Sequence, residues 1–172
     1  GIRMAIKNDI AYTSKNRDQE GLIIQSSIKD NVCISALDKL SKLGVIRPRK
    51  EKDFTESQVT QLQLKMENIN QFVSALSGGN KQKVVLSKWL ARGSDILIFD
   101  SPTRGIDVMV KASIYELMQK LTEQGKSIIM ISEELTELIG MCDRLLVMKD
   151  GRITGELHRC DVLTEEKIIH YT

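Results

Sequence analysis

The chain has 172 residues, of which 28% are charged, 41% hydrophobic and 4% aromatic, the composition of a globular domain long enough to build a core. Its 25 Lys and Arg against 23 Asp and Glu give a formal charge of +2, which argues against a strongly basic nucleic-acid binder and an acidic solvating tail.

Ile10 to Thr13 is a short apolar run that predicts a strand. Residues 15–20 are a polar loop ending at Gly21. From Ser27 to Leu43 the apolar positions Ile28, Val32, Ile34, Leu37, Leu40 and Leu43 recur at helical spacing and predict one or two short helices. Residues 47–53 are a mixed charge run with a proline, expected to be a solvated connection. Thr55-Glu56-Ser57-Gln58 fits a capping box, and the helix after it would carry Val59, Leu62, Met66 and Ile69 on one face.

The pattern changes near residue 76. Ser77-Gly78-Gly79 is expected to open a helix reaching about Arg92, with Val84, Val85, Leu86, Trp89 and Leu90 as its apolar stripe. Ile96 to Phe99 predicts a strand buried on both faces. Residues 108–123 predict a helix with Val110, Ile114, Leu117 and Leu121 buried and Gly125 just past its end. Ser127 to Ile131 is expected to be a second buried strand, 133–140 a short helix, and Leu145 to Met148 a third strand. Asp150-Gly151 signals a hairpin turn back into a strand over Ile153 to Leu157. Strands alternating with helices give the α/β class with a mostly parallel sheet.

Two further classes drop out. No apolar run approaches the ~20 residues that cross a bilayer, and the start, Gly1-Ile2-Arg3-Met4, lacks the apolar region of a signal peptide. Cys33, Cys142 and Cys160 have no metal-like spacing and read as reduced thiols of a cytosolic protein.

Two local patterns carry chemistry. In Leu76-Ser77-Gly78-Gly79-Asn80-Lys81-Gln82, glycines at a helix start let backbone N–H groups approach an anion where the helix dipole favours negative charge. Taken alone, the same residues are also a plain N-cap with a glycine turn. Asp100 ends an apolar strand, at the sheet edge where α/β proteins place ligands. Alone, it is either a magnesium carboxylate or a cap of the next turn.

The combination is more specific. Pro102-Thr103-Arg104-Gly105-Ile106-Asp107 follows the strand, then a helix, then Ser127 to Ile131 with Ser132-Glu133-Glu134, then Cys142-Asp143-Arg144 leading through Met148 to Arg152. This run resembles the ATP-binding-cassette ATPases, from about Ala5 to Leu157. The form PTRGID, with Ser-Glu-Glu-Leu after the next strand, is similar to the C-terminal half of tandem ATPase subunits that drive import of ribose- or galactose-type monosaccharides. Tyr12 to Arg17 followed by Gly21-Leu22 is similar to the loop where those halves enter their helical subdomain.

The resemblance implies an incomplete cassette core with an α-helical subdomain. Residues 1–21 would be a core strand and loop, 22–76 the helical subdomain that docks on the membrane-spanning permease, and 77–172 the signature helix and α/β core. ATP and Mg²⁺ would be the cofactors. Ser77, Gly78, Gly79, Asn80 and Gln82 would form the signature that contacts ATP, Asp107 would lie in the loop that crosses between two cassettes, and Asp100 would be the magnesium carboxylate.

Four departures accompany it. No G-x-x-x-x-G-K-[ST] is present, and Gly125-Lys126-Ser127 stands between a helix end and a strand start, the reverse of the order that motif requires. Gly1 is therefore expected to lie downstream of the P-loop, in a segment of a longer subunit. Ser101 stands where the family carries a catalytic glutamate, and serine is no general base near neutral pH. Glu133 stands where most cassettes carry a histidine, and Lys15 near the family's loop glutamine or glutamate. The implied partners are the N-terminal cassette of the same subunit, permease subunits and, indirectly, a sugar-binding protein, at the cytoplasmic face of the plasma membrane and without nucleic acid. An alternative is a non-hydrolytic regulatory module derived from a cassette. Without the P-loop strand, the strand at 127–131 is expected to leave an apolar edge, so that the isolated chain self-associates.

Overall fold

The structure, a computed structural model, describes residues 1–161 and 163–171. The elements in chain order are α1 (Ile2–Lys7), β1 (Ile10–Thr13), a π-helical turn (Arg17–Gly21), α2 (Ile28–Cys33), α3 (Leu37–Leu40), α4 (Pro48–Gln61), α5 (Gly78–Arg92), β2 (Ile96–Asp100), α6 (Val108–Glu123), β3 (Ser127–Ile131), α7 (Leu135–Met141), β4 (Arg144–Lys149), β5 (Arg152–His158) and α8 (Glu165–Ile169). The chain divides into two compact units, Gly1–Ile129 and Met130–Thr172.

In the first unit, β1 and β2 pair in parallel, with Ile10 opposite Ile96 and Thr13 opposite Phe99. The sheet order is β1-β2-β3. On β2, Leu97 and Phe99 are buried while Ile96 and Ile98 are half-buried, so only one face is fully covered, against the expectation of burial on both. β3 departs further from its expected burial. Its residues alternate between half-buried and exposed, with Ile129 52% and Ile131 49% exposed, because β3 is an outer strand of the sheet. The apolar edge anticipated for this strand is thus present.

The helices between β1 and β2 build the larger core. Leu22, Ile28, Val32, Ala36, Val59, Val73, Leu76, Val84, Val85 and Ala91 form one buried cluster, with Phe54, Met66 and Trp89 packed against it. Asn31 is buried at its margin. Its amide accepts from Ile23 N–H (2.8 Å) and donates to the Ile23 and Ser27 carbonyls (2.9 and 3.0 Å), which ties the entering chain to α2.

Several boundaries differ from expectation. The charge run at 47–53 is not a solvated connection. Pro48 opens α4, where its missing N–H costs nothing, and the charged residues form the first turns. Thr55 is accordingly mid-helix and buried, its hydroxyl donating to the Glu51 carbonyl (2.8 Å) rather than capping an end. The capping box sits instead at Ser27 and Asp30, which exchange both bonds at the start of α2. α4 ends at Gln61, so Met66 and Ile69 reach the core from a loop. α5 and α6 follow the expected limits closely, with Gly93 and Gly125 at positive φ just beyond them.

In the second unit, β4 does not extend the parallel sheet. It pairs with β5 in an antiparallel hairpin whose central residues, Asp150 and Gly151, have φ of 50° and 75°. Both signs match a type I′ turn, whose twist suits the strands. Leu145, Val147, Leu157 and Ile168 form its core, and the Tyr171 ring lies on Gly155, where an added Cβ would come within 2.5 Å of it. The three cysteines are free, and no described helix is long and apolar enough to cross a membrane.

Asn31→Ala is expected to cost about 1–2 kcal/mol, read as a lower urea midpoint, because the Ile23 N–H loses its side-chain acceptor and the buried bond to the Ser27 carbonyl is lost. Gly79→Ala is expected to destabilise by about 1–3 kcal/mol, since its Cβ would stand 2.9 Å from Val110 Cγ2. Adding Val110→Ala should restore part of that loss, and a double-mutant cycle with no coupling would refute the contact.

Candidate nucleotide-contacting site

The start of α5 is set by Ser77, an exposed residue with extended backbone. Its hydroxyl oxygen accepts from the Asn80 backbone N–H (3.4 Å) and side-chain Nδ2 (3.0 Å). An oxygen that accepts both bonds keeps its own hydrogen to donate outward. Asn80 Oδ1 in turn accepts from Lys65 N–H (3.1 Å), so the cap is anchored to the loop before it.

The glycines at this helix start face protein at close range. A Cβ on Gly79 would strike Val110 of α6. One on Gly78 would stand 3.1 Å from Arg17 Nη2 and 3.7 Å from the Gly105 carbonyl oxygen. The glycines therefore bring the N-terminus of α5 beside that of α6. Asp107 caps α6, its carboxylate accepting from Val110 N–H (3.0 Å). The two residues after it, Val108 and Met109, are 78% and 80% exposed.

The loop after β1 clasps both motifs. Arg17 donates from Nη1 to the Arg104 carbonyl (2.9 Å), and Asp18 pairs with Lys81 of α5 (3.0 Å). Lys15, Asn16, Arg17, Asp18, Gln19, Arg104 and Gly105 line one cleft. Lys88, further along α5, donates to the Gly21 carbonyl (2.5 Å), and burial pushes its pKa below the ordinary lysine value.

Asp100 stands at the end of β2, half-buried. Tyr12 donates to its Oδ2 (3.0 Å) and Ser101 to its Oδ1 (3.3 Å). The hydrogen bond to this carboxylate, above all, holds the Tyr12 phenol above its usual pKa. Ser101 has φ of 48°, a left-handed conformation that few non-glycine residues adopt. Its hydroxyl is turned to Asp100. A lone carboxylate with hard oxygen donors suits Mg²⁺ held chiefly by phosphates and water, and no cluster of three metal-ligating side chains occurs among the described residues.

The sequence-predicted residues thus fall into separate groups. Ser77, Gly78, Gly79 and Asn80 converge with Asp107 and the 104–105 backbone, while Gln82 of the same motif is buried in α5. Asp100 and Ser101 form a second group with Tyr12. Glu133 lies exposed in the other unit, just before α7. Sequence reasoning assigned no role to Tyr12, Arg17, Asp18 or Lys81. Their partners lie 63 to 88 positions away, beyond the reach of local spacing.

The family model described as ABC transporter matches residues 3–104. The chain is 47% identical over 97% of its length to the ribose import ATP-binding protein RbsA of Oceanobacillus iheyensis, and 48% identical over 98% to the L-arabinose transport ATP-binding protein AraG of Geobacillus stearothermophilus. It spans 34% and 33% of those proteins, about a third of the curated relatives it matches. Among solved structures, the dimeric bacterial ABC transporter cassette MJ0796 superposes with a TM-score of 0.78 at 21% identity, covering 92% of this chain and 66% of that one. With the cassette fold and the family match in agreement, the chain belongs to the ABC transporter family.

Proposed function

We propose that the chain is part of the second cassette of a sugar-importer ATPase, and that it lends its Ser77-Gly78-Gly79-Asn80 helix start to an ATP held by a partner cassette. One observation carries this reading. The Gly79–Val110 contact sets two helix N-termini side by side, next to the exposed Ser77 cap and the exposed Val108 and Met109. Helix N-termini favour a phosphate, and exposed apolar residues beside them favour a second protein surface. The names of the relatives support ATP as the nucleotide and a monosaccharide as the cargo.

On this reading Ser77 donates to a γ-phosphate oxygen, and the backbone N–H groups of the glycine turn add to it. Arg17 and Asp18 hold the helix start against the 104–105 backbone. Asp100 would hold Mg²⁺, which offsets phosphate charge when bound. Ser101 leaves this half without a general base, so hydrolysis proceeds at the partner's site. Permease subunits dock on the helical region at 22–76, with a sugar-binding protein beyond them. The assembly lies peripherally at the cytoplasmic face of the membrane.

In a subunit joining this chain to a cassette with a P-loop, Ser77→Arg is expected to abolish ATP turnover. Ser101→Glu should raise it modestly or not at all. Turnover that survives Ser77→Arg overturns the reading. Titration calorimetry of Mg-ATP into the 172-residue chain is expected to show no saturable binding below the millimolar range, whereas micromolar binding would require a phosphate grip other than a P-loop.

A further inference from the structure

We propose that the hairpin tip at Lys42–Val45, with the basic stretch that follows it, is a contact site for an anionic lipid surface. Lys42 and Val45 pair by two backbone bonds of 2.9 and 3.1 Å, with Leu43 and Gly44 between them at φ of 54° and 78°. Positive φ at both central positions is a type I′ turn, which selects Asn, Asp or Gly. The hairpin of the second unit obeys that rule with Asp150-Gly151. Here an aliphatic residue takes the first position, against its backbone preference, and is 98% exposed. Val45 beside it is 65% exposed. An apolar tip held out by an unfavourable turn gains nothing from water and much from an apolar phase.

The charges around it select which phase. From Lys39 to Lys50 there are five basic residues and no acidic one. The flanking carboxylates are already engaged, Asp38 by Arg92 (2.6 Å) and Glu51 by Lys29 (3.1 Å). Lys42, Arg47 and Arg49 are exposed. Beyond the tip, Leu40, Arg47, Arg49, Lys50, Asp53 and Phe54 line a cavity of about 490 Å³, apolar at Leu40 and Phe54 and mainly basic at its rim. An apolar wedge backed by cations is the pattern of an interfacial anchor on anionic lipid. The inference concerns neither the start of α5 nor Asp100, so it is independent of the ATP reading, and it leaves the proposed permease contact to the parts of 22–76 outside Lys39–Phe54.

The test is sedimentation of the 172-residue chain, without nucleotide, with vesicles of equimolar phosphatidylcholine and phosphatidylglycerol and with vesicles of phosphatidylcholine alone. Binding is expected on the anionic vesicles only, falling as salt is raised. Leu43→Asn removes the apolar group while supplying a residue the turn prefers. It should melt no lower than the parent yet bind several-fold more weakly. The triple variant Lys42→Gln, Arg47→Gln and Arg49→Gln should bind about 100-fold more weakly, each basic residue contributing about fivefold at such a surface. Equal binding to neutral vesicles, no binding to either, or unchanged binding by Leu43→Asn overturns the proposal. Displacement by soluble polyglutamate, with Leu43→Asn behaving as the parent, would assign the patch to an acidic protein instead and equally overturns it.

Discussion

A single missing methyl group sets how the starts of α5 and α6 meet. Gly79 packs on Val110 so closely that a Cβ would lie 2.9 Å from its Cγ2. Valine is stiff about χ1 and cannot swing aside cheaply. The starts of α5 and α6 are therefore held at one separation, which determines where Ser77, the cap of one helix, stands relative to Asp107, the cap of the other. The proposed contacts of Ser77 and the glycine turn with nucleotide depend on that approach. The apolar stripe of α5 then locks the helix from the other side through Val84 and Val85.

Around this contact the polar bonds act as braces. Arg17 reaches the Arg104 carbonyl across the sequence, and at this exposed site the bond is worth about 0.5–1.5 kcal/mol. The Lys81–Asp18 pair is a surface ion pair and contributes about 0–1 kcal/mol. Its value is directional, since Lys81 lies one residue past the cap formed by Ser77 and Asn80. Lys88 bears a cost, because burial disfavours its charge, and the Gly21 carbonyl and the Trp89 ring 5.3 Å away offset part of it. One loop thus touches α5 at two levels and the 104–105 backbone at a third.

The legibility of this chain varied with the range of the forces involved. The limits of α5 and α6, and the Asp150-Gly151 turn, follow from caps and φ preferences within a few residues, and the structure agrees with them. The start of α4 was misread because a charge run beside a proline resembles a linker. Its helix is held by Val59 in a core built from distant segments. Thr55 looks like a cap by spacing, but a buried threonine can satisfy its hydroxyl on the Glu51 carbonyl within the helix. The alternation of exposure along β3 was invisible in Ile-Ile-Met-Ile, because an apolar run does not say whether its strand is central or outermost.

The α/β class, the family resemblance, and the Ser77, Asp100 and Asp107 landmarks are legible in the order of residues alone, because helix caps, strand ends and glycine turns are local and carry their own signatures. Long-range packing is what makes Gly78 and Gly79 close-packing surfaces, sets Arg17 and Asp18 as braces of the site, brings Tyr12 to Asp100, and leaves Leu43 bare at a strained tip. Those outcomes depend on which groups meet across 60 or more positions, or on which surface is left uncovered once the rest has packed. Neither is encoded in the spacing of neighbouring residues.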